Sequence, residues 1–240
     1  MTTRWSLVIA TKGGSDESRK ALDELCGAYW FPLFVHARRS GLGEADAQDL
    51  VQGLLADLVE RGGGLDGADP AKGRFRTYLL GALKHRGSTE ARAARALKRG
   101  GGVVGSLEAA SADGSIAARY RGMSVDDLTP EEAFDRAWAL ELIRSCKEQL
   151  RGEYEARGRL AVFEALEDTL DGGSGAKTYA MRAEELDCSL GALKVTAHRL
   201  RARLRELIRA AVAETVSDPE EVDLELSLLV AALSVGSRTA

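Results

Sequence analysis

The chain is short of the residues that build sheets, disulfide frameworks and metal sites. Phe, Trp and Tyr make up only 5% of its 240 residues, while hydrophobic residues reach 45%. Ala and Leu carry that apolar load, and long alternating runs of Val and Ile are missing. This argues against β architecture, because Ala and Leu favour helices and β-branched and aromatic residues favour strands. With only 4 prolines to interrupt them, long helices are expected and the fold class is read as all-α. The 3 cysteines, Cys26, Cys146 and Cys188, are odd in number and far apart, which excludes a disulfide framework and fits reduced thiols. His36, His85 and His198 stand alone, with no His-Glu-x-x-His and no Cys-x-x-Cys, so no metal site is expected. The glycine runs at 62–64 and 100–102 lack the Lys-Ser/Thr of a phosphate-binding loop. No residue set supports an enzyme, and no cofactor is expected. Nothing approaches the roughly 18–20 apolar residues of a membrane span. The apolar stretch Trp5 to Ala10 is too short for a signal peptide. A soluble, cytoplasmic protein is the expectation.

What is present is segregated charge. The net charge of −4 conceals a basic block at 72–99, where nine Lys and Arg face one acid, Glu90. It also conceals an acidic stretch at 214–225 with six acids and no base. Such a distribution points to a nucleic-acid partner that net charge alone would hide. Helical periodicity covers 18–39, with Pro32 a candidate break, then 44–61 and about 73–98. Residues 101–128 are rich in Gly, Ser, Ala and Asp and read as a linker. Thr129-Pro130-Glu131-Glu132 is a helix start, joining a cap, a first-turn proline and dipole-matched acids. That helix should reach about 154, with others at 159–170, 178–186, 189–209 and 217–233.

The segment at 189–209 is the most telling. Leu193, Ala197, Leu200, Leu204, Leu207 and Ala211 make one apolar stripe. Lys194, Arg199, Arg201, Arg203, Arg205 and Arg209 lie beside or opposite it, against one acid, Glu206. A short helix, a tight turn at 187–189 and a longer basic helix make the pattern of a helix-turn-helix. There the second helix enters the major groove by its N-terminal residues. Lys194, His198, Arg199 and Arg201 occupy the turns that would meet bases or phosphates. The other reading is a surface helix of a bundle, with arginines for solubility. In the block at 72–99, Phe75 and Tyr78 lie among Lys72, Arg74, Arg76, Lys84, Arg86, Arg92 and Arg95. The cations suit phosphates. The two aromatics read more simply as core than as stacking platforms for bases.

Three segments, in order, resemble an extracytoplasmic-function (ECF) type sigma factor of bacterial RNA polymerase. Asp46-Ala47-Gln48-Asp49-Leu50-Val51-Gln52 is similar to the family segment that contacts core polymerase. Gly73-Arg74-Phe75-Arg76-Thr77-Tyr78-Leu79 is similar to the entry into the helix that melts and reads the −10 element. Ser189-x-Gly191-x-x-Lys194, with His198-Arg199 and Arg201-x-Arg203-Leu204-Arg205-Glu206, resembles the helix that reads the −35 element. Arg4-Trp5-Ser6-Leu7 and the acidic tail at 218–221 resemble a subgroup with short terminal extensions. The chain departs from the pattern at Gln48 and Gly53, at Leu83-Lys84-His85-Arg86-Gly87-Ser88, at Ala91 and at Val195-Thr196.

The resemblance implies two small helical domains joined by a flexible linker, the second ending in the helix-turn-helix. Residues 1–100 would bind polymerase and the −10 element, 101–128 would link, 129–216 would read the −35 element, and 217–240 would be an acidic extension. It implies polymerase contacts at Asp46, Asp49, Leu50 and Gln52. It implies −10 contacts at Arg74, Phe75, Arg76, Lys84, His85, Arg86, Arg92 and Arg95, and −35 contacts at Gly191, Lys194, His198, Arg199 and Arg201. Core RNA polymerase and promoter DNA are the implied partners, with an anti-sigma factor as a further candidate. The tail at 214–225 reads most simply as solvated negative charge, with folding back on the basic helix or binding a regulator as the alternatives. A helix-turn-helix regulator that acts without polymerase, and a sigma-like protein that no longer melts promoters, are the competing readings.

Overall fold

The computed structural model describes residues 16–60, 74–99, 114–123, 126–171, 177–216 and 218–234. Among them every regular element is helical, and the fold is all-α. In chain order these are α1 (Asp16–Arg39), α2 (Glu44–Glu60), α3 (Phe75–Arg99), α4 (Gly114–Arg121), α5 (Pro130–Glu155), α6 (Leu160–Leu166), α7 (Tyr179–Glu185), α8 (Leu190–Ala213) and α9 (Val222–Ser234). Short 3-10 turns at Glu167–Asp171 and Pro219–Glu221 follow α6 and precede α9. Two compact units result, residues 1–141 with 212–240, and residues 142–211.

The first unit is built around α1. Residues 31–37 of that helix are buried without interruption, including Leu33, Phe34 and Val35. A helix that is apolar all round belongs at a centre, with neighbours on several sides. Pro32 lies inside α1, and the helix runs on past it. Proline removes one ladder hydrogen bond, and the burial on both sides of it supports the continuation. Gly41, at φ 95°, turns the chain after α1. Helix α2 buries Ala47, Leu50, Val51, Leu54, Leu55 and Leu58, and α3 buries Phe75, Leu79 and Leu83. Phe75 meets Tyr29 edge-on at 5.5 Å between ring centroids.

The expected linker contains structure. Helix α4 sets Tyr120 edge-on against Phe34 at 6.1 Å, and the Arg119 guanidinium lies 3.8 Å over the Phe31 ring. Arg119 also pairs with the buried Glu141. Side chains of α1 supply this helix with partners, which a weakly periodic octapeptide does not advertise. Arg39 donates to the carbonyl oxygens of Asp126 at 2.8 Å and Leu128 at 2.7 Å, fixing the approach to α5. There Thr129 and Glu132 cap each other reciprocally. The Thr129 hydroxyl accepts from the Glu132 N–H at 3.2 Å, and the Glu132 carboxylate accepts from the Thr129 N–H at 2.9 Å.

The second unit packs Leu150, Tyr154, Phe163, Leu166 and Ala183 with the stripe Leu193, Ala197, Leu200, Leu204 and Leu207. Arg182 is its polar tie. This 3%-exposed side chain grips Asp168 through two bonds of 2.6 Å and also donates to the carbonyls of Ala165 and Lys177. The bidentate contact holds the Asp168 carboxyl below its ordinary range.

Candidate nucleic-acid interface

The second unit presents one open cationic face. Thr178 caps α7 by accepting from the Met181 N–H at 3.3 Å. Asp187, in the left-handed region at φ 47°, reverses the chain. Ser189 then caps α8, its hydroxyl accepting from the Ala192 N–H at 3.2 Å. The apolar stripe of α8 is turned inward, so Gly191, Lys194, Val195, His198 and Arg199 are exposed on its first three turns. No acid stands in the first turn of α8. Lys194, His198 and Arg199 form no ion pair among the described residues. Val195 is 51% exposed amid these side chains, while Thr196 turns its hydroxyl back to the Ala192 carbonyl at 2.9 Å. An exposed methyl-bearing residue among cations suits a groove that presents both phosphates and thymine methyl groups.

Further along, Arg201 and Arg203 are occupied. Arg201 is half-buried and donates to the Tyr179 hydroxyl at 2.6 Å and to the Thr169 carbonyl at 3.3 Å. Arg203 is held by Glu153 at 2.7 Å and Glu206 at 3.0 Å. These contacts pull the Glu153 carboxyl down and the Arg203 guanidinium up. Of the five residues expected at the −35 element, four share the open face. Arg201 instead braces α7 and the 3-10 turn before it.

In the first unit the corresponding residues meet acids. Arg76, 7% exposed, pairs with Glu225 of α9 and with Asp135 at 3.3 Å, and its guanidinium lies 4.5 Å over the Trp138 ring. Arg74 reaches the other oxygen of Glu225 at 3.0 Å. Lys84 pairs with Glu131 at 2.6 Å, and Arg86 pairs with Asp57 and, at 2.8 Å, with Glu90. Phe75 is buried in the core, as the simpler reading of the aromatics had it. His85 is exposed. The Arg92 and Arg95 side chains lie outside the described residues, as do Arg4-Trp5-Ser6-Leu7 and Gly73. Burial works against ionisation on both sides of the Arg76–Asp135 contact, drawing the arginine down and pushing the aspartic acid up.

Asp46, Asp49 and Gln52 are exposed on α2, whereas Leu50 is turned into the core. Of the two unusual glycines Gly53 and Gly87, only Gly53 is required by a close neighbour. A Cβ at Gly53 would stand 2.6 Å from Arg86 Cζ. The glycine therefore lets the arginine cross α2 to Asp57. A Cβ at Gly87 would meet only Leu50, at 3.6 Å.

Sequence reasoning missed Glu225. It is 0% exposed, where solvated charge was expected for the tail. The signal was present: Val222, Glu225 and Leu229 follow helical spacing, and all three are buried on one face of α9. An acid in the middle of an apolar stripe calls for a buried cation. Among the described residues no cluster of His, Cys, Asp or Glu could hold a metal ion, and no helix is long and apolar enough to cross a membrane. Comparison with protein-family models, curated proteins and solved structures gives no match.

Proposed function

We propose that the chain is a transcription initiation factor of the ECF sigma type, which binds core RNA polymerase and directs it to promoters through −10 and −35 elements. The observation that carries this reading is the open face at the start of α8. Cations there are left without acids among the described residues, while Arg182, Arg201 and Arg203 of the same unit are engaged by Asp168, Tyr179 and Glu153. On this reading α7, the Asp187 turn and α8 are a helix-turn-helix. Gly191 lets the backbone approach DNA, Lys194 and Arg199 meet bases or phosphates, and His198 lies between them. Asp46, Asp49 and Gln52 form the exposed polar row for polymerase. Two modest DNA-binding modules gain affinity by being carried on one polymerase. The free protein therefore binds promoter DNA weakly and with a steep salt dependence.

Pull-down against bacterial core polymerase, followed by run-off transcription from a selected promoter, tests the proposal. Binding and a defined start site are expected; absence of both would sink it. A second reading is favoured by the acids that meet Arg74, Arg76, Lys84 and Arg86 and by the burial of Phe75. It is a sigma-like protein that binds polymerase without opening promoters. Permanganate footprinting of the polymerase complex separates the two, since reactive thymines appear only in an open complex.

A further inference from the structure

We propose that the C-terminal helix α9 is a built-in competitor for the phosphate site of the first unit. Glu225 occupies the Arg74–Arg76 pair in the place of a nucleic-acid phosphate, and its departure frees the pair to hold a strand. The identity of the displaced ligand rests on the sigma-type reading above.

A fully buried carboxylate is a costly way to dock a helix. A leucine at the same register would seat α9 at least as well, because replacing a buried ion pair by packed apolar groups is often neutral or stabilising. What Glu225 offers instead is a pair of anionic oxygens, one to Arg76 and one to Arg74. A phosphate presents the same acceptors to guanidinium groups.

Of the two cations, Arg76 does not depend on α9 alone for its organisation. Arg76 keeps Asp135 and the face of Trp138, both supplied by α5. Arg74 is 29% exposed, and beside it a cleft of about 240 Å³ runs between Arg76, Glu132, Asp135 and Trp138 on one side and Leu228 and Leu229 of α9 on the other, so departure of α9 would widen it. The hold on α9 is correspondingly thin. Val222, Glu225 and Leu229 are its buried residues, while Leu224 and Val230 are 57% and 59% exposed. Its far end is capped by Arg136, which donates to the Leu233 carbonyl at 2.6 Å. Few buried contacts give an element a low free energy of local opening. The covalent connection nevertheless keeps the competitor at high effective concentration.

The test compares the intact chain, E225Q and a chain ending at residue 216, each checked for helicity by circular dichroism. The probe is a fluorescein-labelled single-stranded DNA of mixed sequence, titrated at several salt concentrations. Freeing two cations should tighten binding on the order of tenfold at physiological salt. It should also steepen the log–log salt slope by about 1.4, from two further phosphate contacts at about 0.7 each. Adding R74A to E225Q should remove about half of the added slope. Equal affinity and slope for the intact and E225Q chains would overturn the proposal, as would a gain that R74A leaves untouched. If the shortened chain loses its helicity, E225Q decides alone. Polymerase pull-down on the same proteins keeps the two ideas apart. A gain in strand binding by a protein that ignores polymerase would fault the sigma-type reading and leave the competition standing.

Discussion

Lys84 and Arg199 are both exposed cations on long helices, yet Lys84 is paired and Arg199 is not. Glu131 lies 2.6 Å from Lys84, whereas no described acid pairs with Arg199. The same contrast extends to the two units. In the first, Arg74, Arg76, Lys84 and Arg86 all meet carboxylates, drawn from α2, α3, α5 and α9. In the second, acids gather at Arg182 and Arg203 and leave the N-terminal face of α8 open. A run of like charge in sequence thus counts cations without saying which remain available. Availability depends on which distant acids the fold returns to them.

The largest expected effect lies in the buried cluster. Arg76→Met strands Glu225 with Arg74 alone and should cost about 3 kcal/mol, read as a shift in urea midpoint. The double variant R76M/E225L should recover most of that loss, because both charges are gone. If the double variant is as unstable as the single, the ion pair contributes more than its burial costs.

The open face should behave in the opposite way. Lys194→Ala and Arg199→Ala should leave the melting temperature unchanged while weakening promoter binding by about 1–3 kcal/mol where a base is read, and by less where only phosphate is met. Arg201→Ala should instead lower stability by about 1 kcal/mol, since it releases the Tyr179 hydroxyl and the Thr169 carbonyl. Unchanged promoter binding in both K194A and R199A would remove the distinction between the units.

A smaller gain is expected at Gly87→Ala, about 1 kcal/mol of added stability. The new methyl makes an ordinary contact with Leu50 at 3.6 Å, and thermal unfolding would register it.

The smallest effect concerns pH. Burial is the main cause that lowers the His36 pKa, against the pull of Glu131 at 3.8 Å. The unfolded chain then takes up a proton near the ordinary value of about 6.5, where the folded chain does not. Stability from this residue is present above that value and declines as pH falls through it toward the lower folded value. The chain with His36→Gln should therefore lose less stability between pH 7 and 5 than the native chain. An identical loss in both would show that His36 stays unlinked to folding.

Much of the helical frame was legible. The stripe from Leu193 to Leu207 marked both the existence of α8 and its buried side. Thr129 and Glu132 marked the start of α5. Helix α4 was not legible, because its fixing contacts come from Phe31 and Phe34, over 80 positions away. Arg201 also escaped a reading by spacing. It flanks the open face, and only Tyr179 and Thr169 draw it aside.

The sequence by itself determined the helical class, the amphipathic stripes and the caps, because those depend on residues three or four positions apart. It also determined how much charge of each sign there is and where along the chain it lies. Tertiary structure decided which cations are covered. Ion pairing acts over a few ångströms of space, and the acid that reaches Arg74 and Arg76 lies some 150 residues downstream.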